Sequence, residues 1–301
     1  MRVVITGGSG LIGSELAQDL GSAGHEVVIL TRNTAKAALP ANTRAVQWDG
    51  RTAEGWSSLL DGDTAIVHLA GDSIAAGRWS DAKKRRIRES RVESGKAVIA
   101  AIRQAAEKPR VLLQGSAVGY YGPRGDEVVT EAAPSGRDFL AGVCVEWEDS
   151  TAEAEALGVR RALLRTGIVL SGKGGALPRM ALPFRMMAGG PLGGGRQWFP
   201  WIHIADEVGA IRFLLEREDA RGPFNLTAPR PLTNRDFSSA LGKALRRPSL
   251  APAPGFALRA VLGEMADMLL NGQRAVPHRL LELGYVFRYP EALPALRSLL
   301  D

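Results

Sequence analysis

The sequence predicts an α/β protein: a doubly wound parallel sheet followed by a smaller, mainly helical region. Three observations carry this. Short apolar runs alternate with helical patterns from the first residue to about 170. A glycine-rich turn, Gly7-Gly8-Ser9-Gly10-Leu11-Ile12-Gly13, joins the first apolar run to the first helical pattern. After Leu170 the texture changes to loops rich in glycine, proline and methionine.

Residues 2–6, 26–31, 45–48, 64–69, 110–114 and 160–165 read as six strands. Leu11, Ile12, Leu16, Leu20 and Ala23 follow helical spacing until Gly24 stops them. Further helices are expected over 81–106 and over 138–157, the latter closed by Gly158. Residues 201–216 read as a strand or turn and then a helix, and 223–227 as a further strand of the sheet. The expected organisation is a nucleotide-binding domain over 1–170, completed by about 205–228. Residues 171–204 and 229–301 then form the substrate side.

Composition narrows the function. The 301 residues are 45% hydrophobic and 23% charged, which excludes global disorder. Cys144 is the only cysteine, so no intrachain disulfide forms. His25, His68, His203 and His278 are scattered, and no metal is expected. No apolar run is long enough to cross a membrane, and no secretory signal is expected. A cytoplasmic protein with no membrane partner is expected. The net charge of +6 suits a phosphorylated ligand. The run Lys83, Lys84, Arg85, Arg86, Arg88 and Arg91 lacks interleaved aromatics and reads as a solvated helix face, not a nucleic-acid site. Arg88 or Arg91 could alternatively border a pocket. The expected partner is a small molecule, and the sequence leaves the oligomeric state open.

The glycine turn has a chemical reading. Gly7 permits the tight turn, Gly10 lets the backbone approach a pyrophosphate, and Gly13 lets the helix pack against the strand. The N–H groups along this turn, those of Leu11 and Ile12 included, favour an anion at the positive end of the helix dipole. This is a Rossmann-like dinucleotide site. An NAD site usually carries Asp or Glu after the second strand, but this chain carries Arg32. A guanidinium pairs with a 2′-phosphate, so NADP(H) is the expected cofactor. Asp49 is a weaker candidate for the adenine. Leu69, Ala70 and Gly71 are expected where the cofactor backbone passes.

By this point the chain resembles the extended short-chain dehydrogenase/reductase superfamily. Within it, the chain is similar to an atypical, epimerase-like branch with a short C-terminal domain of unknown function. The motifs are ITGGSGLIG (5–13), HLAGDSIAAGRW (68–79), GSAVGYYG (115–122), LLRTGIVLSGKGGALP (163–178), GGPLGGGRQWFPWIHIAD (189–206) and GQRAVPHRLLELGYVFRYP (272–290). The resemblance covers essentially the whole chain. It implies a Rossmann-like domain, NADP(H), and a C-terminal region over the nicotinamide end. Relatives are mostly named as epimerases, and some are linked to cell or plastid division.

The superfamily's proton handler is a tyrosine four residues before a lysine. This chain has no lysine between Lys108 and Lys173, and the two positions fall on Asp138 and Gly142. The remaining candidates are Ser116, Tyr120, Tyr121 and Lys173. Cys144 reads as a small core residue. By resemblance, the segment Arg165-Thr166-Gly167 should face the nicotinamide. Arg196, Gln197, Trp201 and His203, with Arg274 further on, suit a polar or anionic substrate, although His203 reads more readily as a residue that orders the loop. The function expected is an NADP(H)-dependent oxidoreductase or epimerase acting on a small polar molecule, a sugar derivative among the candidates. The alternative is a non-catalytic NADP(H)-sensing or scaffold protein, with a link to cell division suggested by some relatives.

Overall fold

The computed structural model describes residues 1–34 and 39–300. The first part of the chain runs β1 (Arg2–Thr6), α1 (Leu11–Ser22), β2 (Glu26–Thr31), β3 (Thr43–Gln47), β4 (Thr64–His68), α2 (Asp81–Gln104), β5 (Val111–Ala117), β6 (Val128–Val129), α3 (Phe139–Asp149), α4 (Glu153–Ala156) and β7 (Arg160–Thr166). It continues through β8 (Ile168–Ser171), β9 (Gly174–Gly175), α5 (Leu177–Arg185), β10 (Trp198–Phe199), β11 (Trp201–His203), α6 (Ile204–Glu216) and β12 (Gly222–Leu226). The last part holds β13 (Leu232–Thr233), α7 (Asn234–Leu245), α8 (Gly255–Leu262), α9 (Met265–Leu270), β14 (Arg274–Ala275), α10 (His278–Glu282) and α11 (Ala292–Leu300).

Seven strands form one parallel sheet in the order β12-β7-β5-β4-β1-β2-β3. Strand alternation gives the sheet two apolar faces. Val3 and Ile5 pack with Leu16 and Leu20 of α1 and Ile211 and Leu214 of α6. Val4, Val28 and Ile66 pack on the other face with Val98 and Ile102 of α2 and with Trp56. β1 lies between β2 and β4, so the chain changes direction across the sheet there. A ligand crevice forms at the strand C-termini of such a switch point.

Three expectations shift. The third strand lies at Thr43–Gln47 instead of 45–48. The helix expected over 138–157 breaks after Asp149 because Ser150 Oγ donates to the Trp147 carbonyl and Thr151 Oγ1 to the Glu148 carbonyl. The stretch 171–204 is not simply loop: β8 pairs with β9 on one side and β11 on the other in a small sheet, and α5 follows β9. These elements share a separate apolar cluster with α7 and α11, built on Phe184, Phe199, Trp201, Phe237, Leu241 and Leu296. The strand expected over 223–227 is β12, which pairs with β7 at the sheet edge.

Candidate functional site

The glycine turn has the shape a diphosphate needs. Gly7 adopts φ +70°, and a Cβ there would lie 2.8 Å from the Leu69 carbonyl. A Cβ on Gly13 would lie 2.4 Å from the Gly7 oxygen. The Gly10 N–H closes the turn on the Gly7 carbonyl at 2.9 Å, and Gly10 caps α1 with no side chain. The N–H groups of Leu11, Ile12 and Gly13 therefore have no intrahelical acceptor and point out of the helix end.

A buried hydrogen-bond chain fixes this turn against β4. Thr6 Oγ1 accepts the N–H groups of Leu69 at 3.1 Å and Ala70 at 3.2 Å. Its hydroxyl hydrogen is then free to donate to His68 Nδ1 at 2.6 Å, which makes Nε2 the protonated nitrogen facing Ser94 Oγ at 3.2 Å. Ser94 in turn donates to the Ser90 carbonyl at 2.7 Å. Burial, with Arg91 nearby, pulls the His68 imidazole down to about 3, so it stays neutral in this chain. Nothing in the spacing of Thr6, His68 and Ser94 announces this link. Gly71 has a packing reason of its own, since a Cβ there would lie 2.9 Å from the Arg91 guanidinium carbon.

At the other end of the crevice, Arg32 is exposed just beyond β2. Together with Gln47, Trp48, Asp49, Thr52 and Glu54 it lines an open depression of about 490 Å³. Asp49 is turned into its own loop, accepting the N–H groups of Arg51 at 2.7 Å and Thr52 at 2.9 Å. The Arg51 N–H, with the N–H and hydroxyl of Thr52, holds its carboxyl below the usual carboxylate range. Its Oδ1 is thereby engaged, whereas Oδ2 meets only the Thr52 hydroxyl at 3.2 Å, and Asp49 stays exposed on the same depression as Arg32.

Beyond the C-terminal end of β5, three expected site residues serve a buried network instead. Ser116 and Arg165 are neighbours across β5 and β7. Ser116 Oγ donates to Glu148 Oε1 at 2.6 Å, and Glu148 takes Arg165 Nε and Nη2, each at 2.9 Å. Arg165 Nη1 donates to the Tyr121 hydroxyl at 3.1 Å, which donates onward to Asn225 Oδ1 at 2.7 Å. Tyr121 is fully buried, and burial pushes its phenol up to about 12. The side chains of Ser116, Tyr121 and Arg165 are therefore joined in one buried network with Glu148 and Asn225. Tyr120 differs. Its ring lies 3.5 Å from the Arg165 guanidinium, it is half-buried, and no hydrogen bond engages its hydroxyl among the described residues.

The placement of the missing tyrosine and lysine on Asp138 and Gly142 is also corrected. Asp138 caps α3 by accepting the Ala141 N–H at 2.8 Å, and Gly142 is exposed. The pair four residues apart that faces the loop after β5 is Leu140 and Cys144. A Cβ on Gly119 would lie 3.7 Å from Leu140 Cβ and 3.9 Å from Cys144 Sγ. Burial, with Glu148 adding to it, pushes the Cys144 thiol up to about 12, so neither residue handles protons near neutrality.

Lys173 is exposed and pairs with Glu15 of α1 at 2.6 Å. The adjoining glycines rest on Leu11, so this hairpin covers the start of α1. Thr166 donates to Glu207 Oε1 at 2.8 Å. Glu207, which the sequence reading missed, is fully buried, and burial pushes its carboxyl up to about 8. Gly167 packs so closely that a Cβ would lie 2.4 Å from the Pro200 oxygen.

The later loop divides. Trp201 lies in the core, Gln197 Nε2 donates to the Leu192 and Leu269 carbonyls, and His203 Nδ1 caps α6 through the Ala205 N–H at 3.0 Å. His203 also stacks on Tyr289, and burial pulls it down to about 4. Trp201 and Gln197 are thus held by the fold, and His203 orders the start of α6. Arg196 is exposed, and the Arg274 guanidinium lies 4.5 Å from the Trp198 ring. In the basic run, Lys83 is buried against Asp72 at 2.7 Å, Lys84 pairs with Glu264 and Arg88 with Glu146. Arg91 donates to the Asp72 carbonyl at 3.0 Å beside the crevice. No group of residues suited to a metal ion occurs among the described residues.

Fold and site together define a dinucleotide-binding protein of the doubly wound class, without a tyrosine–lysine pair on its third helix. The NAD dependent epimerase/dehydratase family model matches residues 3–227, and a domain of unknown function matches 253–299. The chain belongs to this family. It is 42% identical over 305 residues to the chloroplastic epimerase family protein SDR39U1 homolog of Arabidopsis thaliana, covering 100% of this chain and 87% of that protein. It is 39% identical to epimerase family protein YfhF of Bacillus subtilis, covering 100% and 98%. The structure of human epimerase family protein SDR39U1 with NADPH superposes with a TM-score of 0.89 at 33% identity, covering 99% of both chains.

Proposed function

We propose that this chain holds NADP(H) along the glycine turn and the end of β2. On this reading it uses the cofactor to reduce, oxidise or epimerise a small polar molecule beneath the C-terminal region. The observation that carries the cofactor choice is Arg32, exposed on an open depression at the position where an NAD site carries a carboxylate. A carboxylate there would repel a 2′-phosphate, whereas a guanidinium pairs with it. The NADPH bound in the human relative supports the same choice. The N–H groups of Leu11, Ile12 and Gly13 would hold the pyrophosphate, and Thr166 and Gly167 would flank the nicotinamide. When bound, the nicotinamide supplies hydride transfer. Tyr120 is the group for the accompanying proton, because its hydroxyl is unpaired and its ring is held on Arg165. Arg196 and Arg274 suit a polar or anionic substrate.

Fluorescence transfer from tryptophan to NADPH and NADH tests the cofactor. NADPH should bind more tightly, and Arg32→Ala should remove most of that preference. Equal affinities in the parent protein refute the assignment. A second reading, an NADP(H)-holding scaffold without turnover, is favoured by Leu140 and Cys144 facing the loop after β5. NADPH consumption against carbonyl compounds and nucleotide sugars separates the two. Under the first reading Tyr120→Phe lowers turnover about 100-fold or more. Tight NADPH binding with no turnover across the panel supports the second.

A further inference from the structure

The charge of this chain is unevenly placed. Residues 156–205 and 237–263 contain no aspartate or glutamate. Of the 38 basic residues, eleven lie in these two stretches, so the rest of the chain is acidic by five. The C-terminal end of α5 and the loop after α7, one from each stretch, meet on the surface. The Leu250 and Ala251 N–H groups both donate to the Gly189 carbonyl at 3.1 Å, and Phe184 packs against Gly189 and Gly242. From this junction project Leu250, Met186, Met187 and Leu182, exposed by 83%, 71%, 61% and 57%. Arg185, Lys243, Arg246 and Arg247 are exposed among them, and none forms an ion pair among the described residues.

Three non-glycine residues have positive φ among the described residues, Asn42, Met187 and Arg246. Asparagine tolerates that region, whereas long side chains rarely occupy it. Met187 at φ 63° and Arg246 at φ 54° take the left-handed conformation that ends α5 and α7, where the Ala188 N–H donates to the Pro183 carbonyl and the Arg247 N–H to the Gly242 carbonyl, each at 2.9 Å, and both side chains are exposed. Arg185 and Lys243 stand in the last turns of their helices, where a cation also meets the helix dipole. Arg247 lies beyond the end of α7 and has no such reason.

We infer that this face docks on an anionic lipid surface. Exposed methionine and leucine beside unpaired cations, with no carboxylate in either stretch, match an interface in which apolar tips enter the acyl boundary and cations meet phosphate headgroups. A second copy of the chain is disfavoured, since it would bring its own cations against these. Nucleic acid does not explain the four exposed apolar side chains. Peripheral docking requires no membrane-spanning helix, and none is present among the described residues. This proposal departs from the sequence-based expectation of no membrane partner, because the surface it rests on is assembled only by the fold.

Co-sedimentation of the full chain with phosphatidylcholine vesicles, with and without phosphatidylglycerol, tests the inference. Binding should require the anionic lipid and weaken at high salt. Arg246→Gln with Arg247→Gln should lower partitioning about 25-fold, taking about fivefold per cation. Met186→Ser with Met187→Ser should lower it about 10-fold or more. Both pairs are exposed, and an unchanged melting temperature confirms that the variants fold. Four results overturn the inference. They are no binding to anionic vesicles, equal binding to neutral ones, binding that both pairs leave intact, or a self-association or capture by an acidic polypeptide that these pairs abolish while vesicles are ignored.

Discussion

Replacing Glu148 by glutamine tests the network beneath Tyr120. Arg165 and Glu148 are both almost fully buried and share two hydrogen bonds of 2.9 Å. Glutamine keeps the shape but removes the charge, leaving a guanidinium in the core without a counter-ion. Breaking one partner of a buried pair costs about 3–5 kcal/mol. At roughly 2–3 °C per kcal/mol for a chain of this size, the melting temperature should fall by about 6–15 °C. Scanning calorimetry reads this directly. A double variant, Glu148→Leu with Arg165→Met, removes both charges and should recover much of the loss, because the desolvation cost disappears with the ions. A fall below about 1 kcal/mol in the single variant, or a double variant no better than the single, refutes the reading of this pair as a buried, mutually dependent unit.

Ser116→Ala removes a hydroxyl that donates to Glu148 at 2.6 Å, and should cost about 1.5–3 kcal/mol of stability while leaving any turnover of the folded enzyme within a few-fold. Loss of turnover with stability intact would return Ser116 to the reacting atoms. Gly13→Ala places a methyl 2.4 Å from the Gly7 oxygen, so NADPH affinity should fall more than about 10-fold in titration, while circular dichroism still reports a folded chain. Stability should also peak near pH 6.5. His68 and His203 are lowered to about 3 and about 4 from 6.5, so the unfolded chain binds those protons first and stability falls as pH drops below 6.5. Glu207 is raised to about 8 from 4.5, so the folded chain keeps that proton and stability falls as pH rises toward 8. Below 6.5 the two histidines outweigh the single glutamate. Melting temperatures of Glu207→Gln should lose the fall between pH 6.5 and 8, and an unchanged alkaline limb contradicts the assignment.

Much of the fold was legible because it follows from local spacing. The six strands and the glycine turn were readable from alternation and from Gly7, Gly10 and Gly13, since strand and helix periods are properties of consecutive residues. The helix over 138–157 misled because two hydroxyls, of Ser150 and Thr151, turn back on carbonyls and end it early. The site was less legible for a different reason. Ser116, Tyr121, Arg165 and His203 are polar residues in motif positions, but whether a polar group faces a ligand or another core group depends on what lies opposite. For Ser116 the deciding partner is Glu148, 32 residues away, and for Tyr121 it is Asn225, 104 residues away.

The sequence by itself determined the doubly wound sheet, the diphosphate turn, the arginine at the end of β2, and the absence of a tyrosine–lysine pair. Each of these is a matter of residue type at a fixed local position. Only the tertiary structure decided which hydroxyls are buried, that Leu140 and Cys144 face the loop after β5, and that two acid-free stretches join into one surface. Those properties arise where distant segments meet. Burial and pairing, which set whether a charge is neutralised, protonated or left exposed, exist only after the segments have packed.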